Sequence, residues 1–151
     1  MKQRMSFKDV EPAGYAATLN LENFCRSIAI DPLYKELIKI RASQINSCAY
    51  CIAMHTEEAR ALGESEQRIY ALSAWRESPL FNQEERALLA LTEEVTLIAA
   101  GGVSNETYEG VGKMFGEQRL AQIILLIVTI NAWNRICMAT RAIYEKQMPV
   151  G

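Results

Sequence analysis

The chain has 151 residues, half of them apolar and 23% charged, a composition that fits one globular domain over residues 1–151 and excludes a disordered or low-complexity protein. Its 16 basic and 18 acidic side chains leave a net charge of −2, which excludes the dense basic patch that nucleic acid or an anionic membrane surface requires. With only eight Gly and four Pro, the chain is poor in helix breakers, and small molecules and proteins remain as its partners.

Pro12 stands where a first helical turn begins, and Ala16, Leu19, Phe24 and Ile28 recur at helical intervals, predicting a helix over residues 12–29. Asp31 as N-cap and Pro32 at the first position open a second helix with an apolar stripe of Leu33, Leu37, Ile38, Ile40 and Ile45. Ser47 is the expected cap of a third, over residues 48–62, which places Cys48, Cys51, Ile52, His55, Ala59 and Leu62 on one face and ends at Gly63. A fourth starts after Ser65 and is stopped by Ser78-Pro79; a fifth runs over residues 83–100, with Leu88, Leu91, Val95 and Ile98 inward, to Gly101-Gly102. Residues 104–115 form a shorter helix ended by Gly116. Residues 117–146 form the last, apolar on every side at 123–128, as suits a central or intersubunit helix. No strand alternation, repeat or linker is visible. The expected fold is all-α, a single-domain bundle of about seven helices. The apolar run over residues 120–130 contains Gln122 and Thr129 and falls short of the ~20 residues that span a bilayer, so no transmembrane helix is expected. Residues 1–15 have no signal-peptide core, and the expected location is cytoplasmic.

Four cysteines in a cytosolic chain point to redox chemistry or metal rather than to structural disulfides. The segment Ser47-Cys48-Ala49-Tyr50-Cys51 with His55 four residues on concentrates the possibilities. Thiols in a first helical turn meet unpaired backbone N–H groups and the positive end of the dipole, which favour thiolate. Cys-x-x-Cys spacing permits an intramolecular disulfide, and His55, the single histidine, is the one side chain that titrates near pH 7 without perturbation. Glu36, on the preceding helix, can orient His55; its plain alternative is a solvated carboxylate paired with Lys39. For His55 the alternative is a hydrogen-bonded core histidine. A zinc site would have three soft ligands in Cys48, Cys51 and His55 but lacks a fourth, because Cys25 and Cys137 read as distant cysteines in apolar helices. A structural zinc site is therefore not expected. Asn131, Asn134 and Arg135 interrupt the last greasy helix and read as ties between helices or subunits, the buried Arg needing a partner. Trp75, Trp133, Phe115 and the methionines read as packing.

Glu36-Leu-Ile-Lys-Ile-Arg followed by Asn46-Ser-Cys48-Ala-Tyr-Cys51-Ile-Ala-Met-His55 resembles the core of the AhpD-like alkylhydroperoxidases in the carboxymuconolactone decarboxylase superfamily. The pattern Glu-x11-Cys-x2-Cys-x3-His is complete, and Asn131-Ala-Trp-Asn134-Arg135 is similar to the family's Asn-x-x-Asn-Arg segment. The resemblance implies a helical homo-oligomer, often a trimer or hexamer, with thiol peroxidase activity that uses no haem, flavin or metal. It implies that Cys51 attacks the hydroperoxide, that Cys48, nearer the helix end and so more exposed, resolves the sulfenic acid as a disulfide, and that His55 and Glu36 form the proton relay. The partners implied are a small-molecule hydroperoxide and a thiol or disulfide-reductase electron donor. Tyr50 stands where some members carry a histidine, and a phenol cannot serve as base near pH 7, which implies weaker peroxide turnover. The superfamily's decarboxylation of a small lactone acid and a non-enzymatic redox-sensing oligomer are the alternative readings.

Overall fold

In a computed structural model, residues 2–144 are described. They form eight α-helices and two 3₁₀ turns, with no strand among them. The helices are α1 (Phe7–Val10), α2 (Pro12–Ser27), α3 (Pro32–Ile45), α4 (Ala49–Ala61), α5 (Glu66–Ala71), α6 (Gln83–Thr96), α7 (Asn105–Phe115) and α8 (Glu117–Thr140). Starts are fixed by side chains that satisfy the orphan N–H groups of a first turn. Glu11 accepts from Gly14 N–H ahead of Pro12, Asp31 from Leu33 N–H at 2.8 Å, Ser65 from Arg68 N–H and Ser104 from Thr107 N–H. Asn82 and Glu85 make a reciprocal capping box on α6.

The core divides into two apolar clusters and a third built around thiols. α8 contributes Leu120, Ile123, Leu126 and Ile127 to the first, against Ile38 of α3 and Leu88 and Leu91 of α6. The second gathers Leu37, Ile40, Ala59, Leu72, Trp75 and Leu89 between α3, α4 and α6. The third joins Ala42, Cys48, Cys51 and Ile130. α8 is long and apolar enough, by length and composition, to cross a membrane. In this fold it instead runs through the domain in contact with α2, α3, α4, α6 and α7. Its Ile123, Leu126, Ile127 and Ile130 face the core, while Val128 and Met138 stay exposed.

Several boundaries depart from the sequence expectations. Ser47 does not cap the third predicted helix: its backbone is left-handed at φ 58° and Cys48 takes the N-cap place. The fourth predicted helix is α5 continued by a 3₁₀ turn over Leu72–Ala74. The fifth ends at Thr96, because Leu97 leaves the helical region and Ile98–Ala100 tightens into 3₁₀ geometry with Ile98 exposed. The last ends at Thr140 rather than near 146. Arg141 adopts a left-handed conformation there, and the N–H groups of Arg141 and Ala142 reach back to Met138 and Cys137 carbonyls. Residues 145–146 lie outside the described residues. The short α1 has no buried residue and so left no apolar period to read.

Candidate active site

Cys48 and Cys51 sit at the start of α4, each 1% exposed. The expectation that Cys48 is the more exposed of the two is therefore wrong: α8 covers the first turn of α4, and the end of a helix is at the surface only where nothing packs on it. The Cys48 Sγ caps the helix, accepting the Cys51 backbone N–H at 3.4 Å. The loop before it is held by the Cys48 N–H to the Ser43 carbonyl and by Asn46, which donates to Asn131 at 2.9 Å and to Asn134 at 2.8 Å. Asn134 in turn donates to Ser43 and Asn131 to Thr96. These asparagines tie α8 to α3 and α6, as their sequence reading required. Arg135 is exposed rather than buried and donates to Asn131.

Cys137, read from sequence as distant, is the third thiol of the site. It packs on the Cys48–Cys51 cluster from α8, where Ile130, Asn134 and Cys137 share one face. Cys48 is the acid of the three. Hydrogen bonds from Cys137 and Cys51 lower its pKa well below the usual thiol range, and the Cys51 N–H and Asn134 add to them against burial. Bonding to Cys137, then to Cys48, and burial push Cys51 upward, while bonding to Cys48 and burial push Cys137 up against a lowering from Cys51. Cys25 is elsewhere, in the main core against Thr129 at 3.4 Å, and burial raises it.

His55, one turn after Cys51, is buried at 3% exposure, and its Nδ1 lies 2.8 Å from Glu36 Oε2 and 3.1 Å from Glu58 Oε2. Carboxylates only accept, so Nδ1 carries the proton and Nε2 is the nitrogen left for exchange. Glu36 is not solvated. It is 7% exposed and lies also 3.6 Å from the ammonium of Lys39, whose other partner is Glu22 at 2.8 Å. Burial by itself would lower the imidazole pKa, but the bonds to Glu36 and Glu58 outweigh it and raise it. The bond to His55 in turn holds Glu58 down at about 2. Burial would likewise lower Lys39, yet Glu36 and Glu22 raise it. Ligand atoms of Glu36, His55 and Glu58 lie within 4.8 Å of one another, close enough to hold a cation. The His55 Nδ1–H already engages both carboxylates, and the Lys39 ammonium lies beside that of Glu36.

A cavity of about 330 Å³ opens over this arrangement. Cys51, His55 and Cys137 reach it, and Cys48 lies behind them; Tyr15, Tyr50, Met54 and Trp133 form the walls, and Met5 and Phe7 from the N-terminal segment cover it. That segment is fixed by Arg4, whose N–H and guanidinium bond to the Thr140 and Ala139 carbonyls at the end of α8. Trp133 stacks edge-on against Tyr15, and Tyr50 against Tyr144. Burial raises the Tyr50 phenol, which stays neutral. Sequence reasoning paired Glu36 with Lys39 but placed that pair in solvent, missed Glu58 and Glu22 as neighbours of the relay, and took Trp133 and the methionines for packing alone. The i, i+3 spacing of His55 with Glu58 was the signal available for the first of the two.

Comparison with known proteins identifies the family and the fold. Residues 12–94 match the model of the carboxymuconolactone decarboxylase family. YdfG of Bacillus subtilis strain 168, itself uncharacterized, is 43% identical over 139 residues, 92% of this chain and 95% of its own. The crystal structure of an Agrobacterium tumefaciens protein of unknown function, named as a candidate antioxidant defence protein AhpD, superposes with a TM-score of 0.92 at 39% identity and covers 99% of this chain and 100% of its own. An uncharacterized peroxidase-related protein from Silicibacter sp. TM1040 shares the fold, with a TM-score of 0.75 at 23% identity over 85% of this chain and 68% of its own.

Proposed function

The chain belongs to the carboxymuconolactone decarboxylase family as an AhpD-like member, and from that premise we propose that it is a cytoplasmic, homo-oligomeric thiol peroxidase that reduces small organic hydroperoxides. The observation that carries the proposal is the placement of Cys51 at the cavity, with the acid thiol Cys48 behind it and the His55–Glu36 pair one turn away. His55 takes the Cys51 proton through Nε2 while Glu36 holds the ring by Nδ1. The Cys51 thiolate attacks the terminal peroxide oxygen; an S–O bond forms as the O–O bond breaks, and the alkoxide leaves with the proton from His55. Cys48 then attacks the sulfenic sulfur, water departs, and the Cys48–Cys51 disulfide remains for an external thiol donor to reduce. A cavity of this volume walled by Met54, Trp133 and Ile136 favours an organic hydroperoxide over hydrogen peroxide.

The test is thiol titration before and after one equivalent of tert-butyl hydroperoxide. Wild type should lose two thiols, recovered by a dithiol reductant, and Cys51→Ser should consume no peroxide. Peroxide consumption retained by Cys51→Ser sinks the reading, and decarboxylation of a lactone acid that survives Cys48→Ser/Cys51→Ser would select the family's other chemistry.

A further inference from the structure

The mechanism above uses two thiols, yet the site holds three. Cys137 comes from the C-terminal part of α8, which packs directly on α4, and its side chain touches both Cys48 and Cys51. Cys51 and Cys137 line the cavity, whereas Cys48 does not, and Cys137 is the one thiol of the cluster that is partly exposed. From this arrangement we propose that Cys137 is a second disulfide partner for Cys51, resolving the same sulfenic acid that Cys48 resolves. The inference rests on the peroxidase reading for its oxidant, a hydroperoxide.

The step balances without any further reagent. The Cys137 sulfur attacks the sulfur of Cys51 sulfenic acid, the S–O bond breaks, and the thiol proton leaves with the hydroxyl as water, giving Cys51–Cys137. The two products differ in what they show to the cavity. A Cys48–Cys51 disulfide presents one sulfur there and keeps the other behind it, while a Cys51–Cys137 disulfide presents both. Exchange requires a thiolate to reach a disulfide sulfur. The second disulfide therefore offers an external thiol donor an additional point of attack, at Cys137, with Cys51 as the leaving group.

Cys48→Ser isolates the second route, and serine keeps an N-cap acceptor for α4. One sample of this variant is treated with one equivalent of tert-butyl hydroperoxide and another with diamide, a thiol oxidant that needs no peroxidase chemistry; both are digested and mapped by mass spectrometry with dimedone as sulfenic acid trap. The expected result is a Cys51–Cys137 linkage in both samples, with two of the three remaining thiols lost. Cys48→Ser/Cys137→Ser should instead carry the dimedone adduct on Cys51. A sulfenic acid that persists on Cys51 in Cys48→Ser overturns the proposal. Wild type that ignores the peroxide defeats the peroxidase reading alone, and the diamide sample then decides: linkage upholds the pairing and its absence overturns it. Should Cys48→Ser fail to fold, wild type with half an equivalent of diamide replaces it, where a Cys51–Cys137 fraction supports the pairing and none refutes it.

Discussion

Replacing Glu36 by Gln removes one negative charge while keeping size and shape, and the structure sets the size of the effect. The Glu36 carboxylate accepts from His55 Nδ1 at 2.8 Å inside the protein, with both side chains below one-tenth exposed. A buried hydrogen bond to a charged group is worth about 1.5–3 kcal/mol, and about 1.36 kcal/mol is tenfold in rate, so oxidation of Cys51 should slow about 13- to 160-fold. Glu58 cannot restore the loss, because its side chain is 41% exposed and its charge is screened. The pH profile carries a second signature. His55 acts as base only when Nε2 is free, and the carboxylates raise its pKa; removing one of them moves the acid limb of the rate to lower pH while the plateau falls. Stopped-flow oxidation of the thiols by tert-butyl hydroperoxide across pH, with circular dichroism to establish folding, measures both. A folded Glu36→Gln protein with a rate within twofold of wild type and an unmoved limb would refute the relay and leave the pair a structural one.

Lys39→Met should destabilise the fold by about 3–5 kcal/mol in urea, since it takes the ammonium from two buried carboxylates, Glu22 at 2.8 Å and Glu36 at 3.6 Å, and leaves them only Arg26 and His55 among the described residues; a loss below 1 kcal/mol would count against it. The same pair predicts a pH dependence. Burial would raise the Glu22 pKa, but Lys39 outweighs it and holds it below 4.5, so this stabilisation is complete above pH 4.5 and is lost as pH falls through the lowered value. Urea midpoints should fall on that acid side in wild type, and less so in Lys39→Met. His55, whose folded pKa is raised above 6.5, contributes the opposite trend: its share is complete below pH 6.5 and is lost as pH rises through the raised value. Ser47 holds φ 58° without being glycine, so Ser47→Gly should relieve about 1 kcal/mol of left-handed strain and raise Tm by about 2–4 °C at this chain length. A lowered Tm would show that the Ser47 side chain is needed there.

The readable part of the fold is the part written in local chemistry. Pro12, Asp31-Pro32 and Ser65 mark helix starts because their effect is confined to one turn, and each start lies where those residues put it. Boundaries failed where a distant contact outweighed the local signal. α8 stops at Thr140, where the N-terminal Arg4 takes up its last carbonyls. Ser47 has the chemistry of a cap, yet the chain needs a left-handed residue there to turn from α3 into α4 and hands the cap to Cys48.

The sequence by itself determined the all-helical class and the face that carries Cys48, Cys51 and His55, because a 3.6-residue period and a four-residue spacing are properties of one helix. It could name Glu36 and leave it between relay and solvated pair. Only the tertiary structure decided that Glu36 is buried against His55, that Lys39 and Glu22 complete a buried charge cluster, and that the more acidic thiol is Cys48, covered by α8 rather than exposed. It alone brought Cys137 to the other two thiols. Burial and thiol contacts arise where separate helices cross, and a crossing is fixed by how the apolar faces of α3, α4 and α8 fit together, which no spacing within a single helix records.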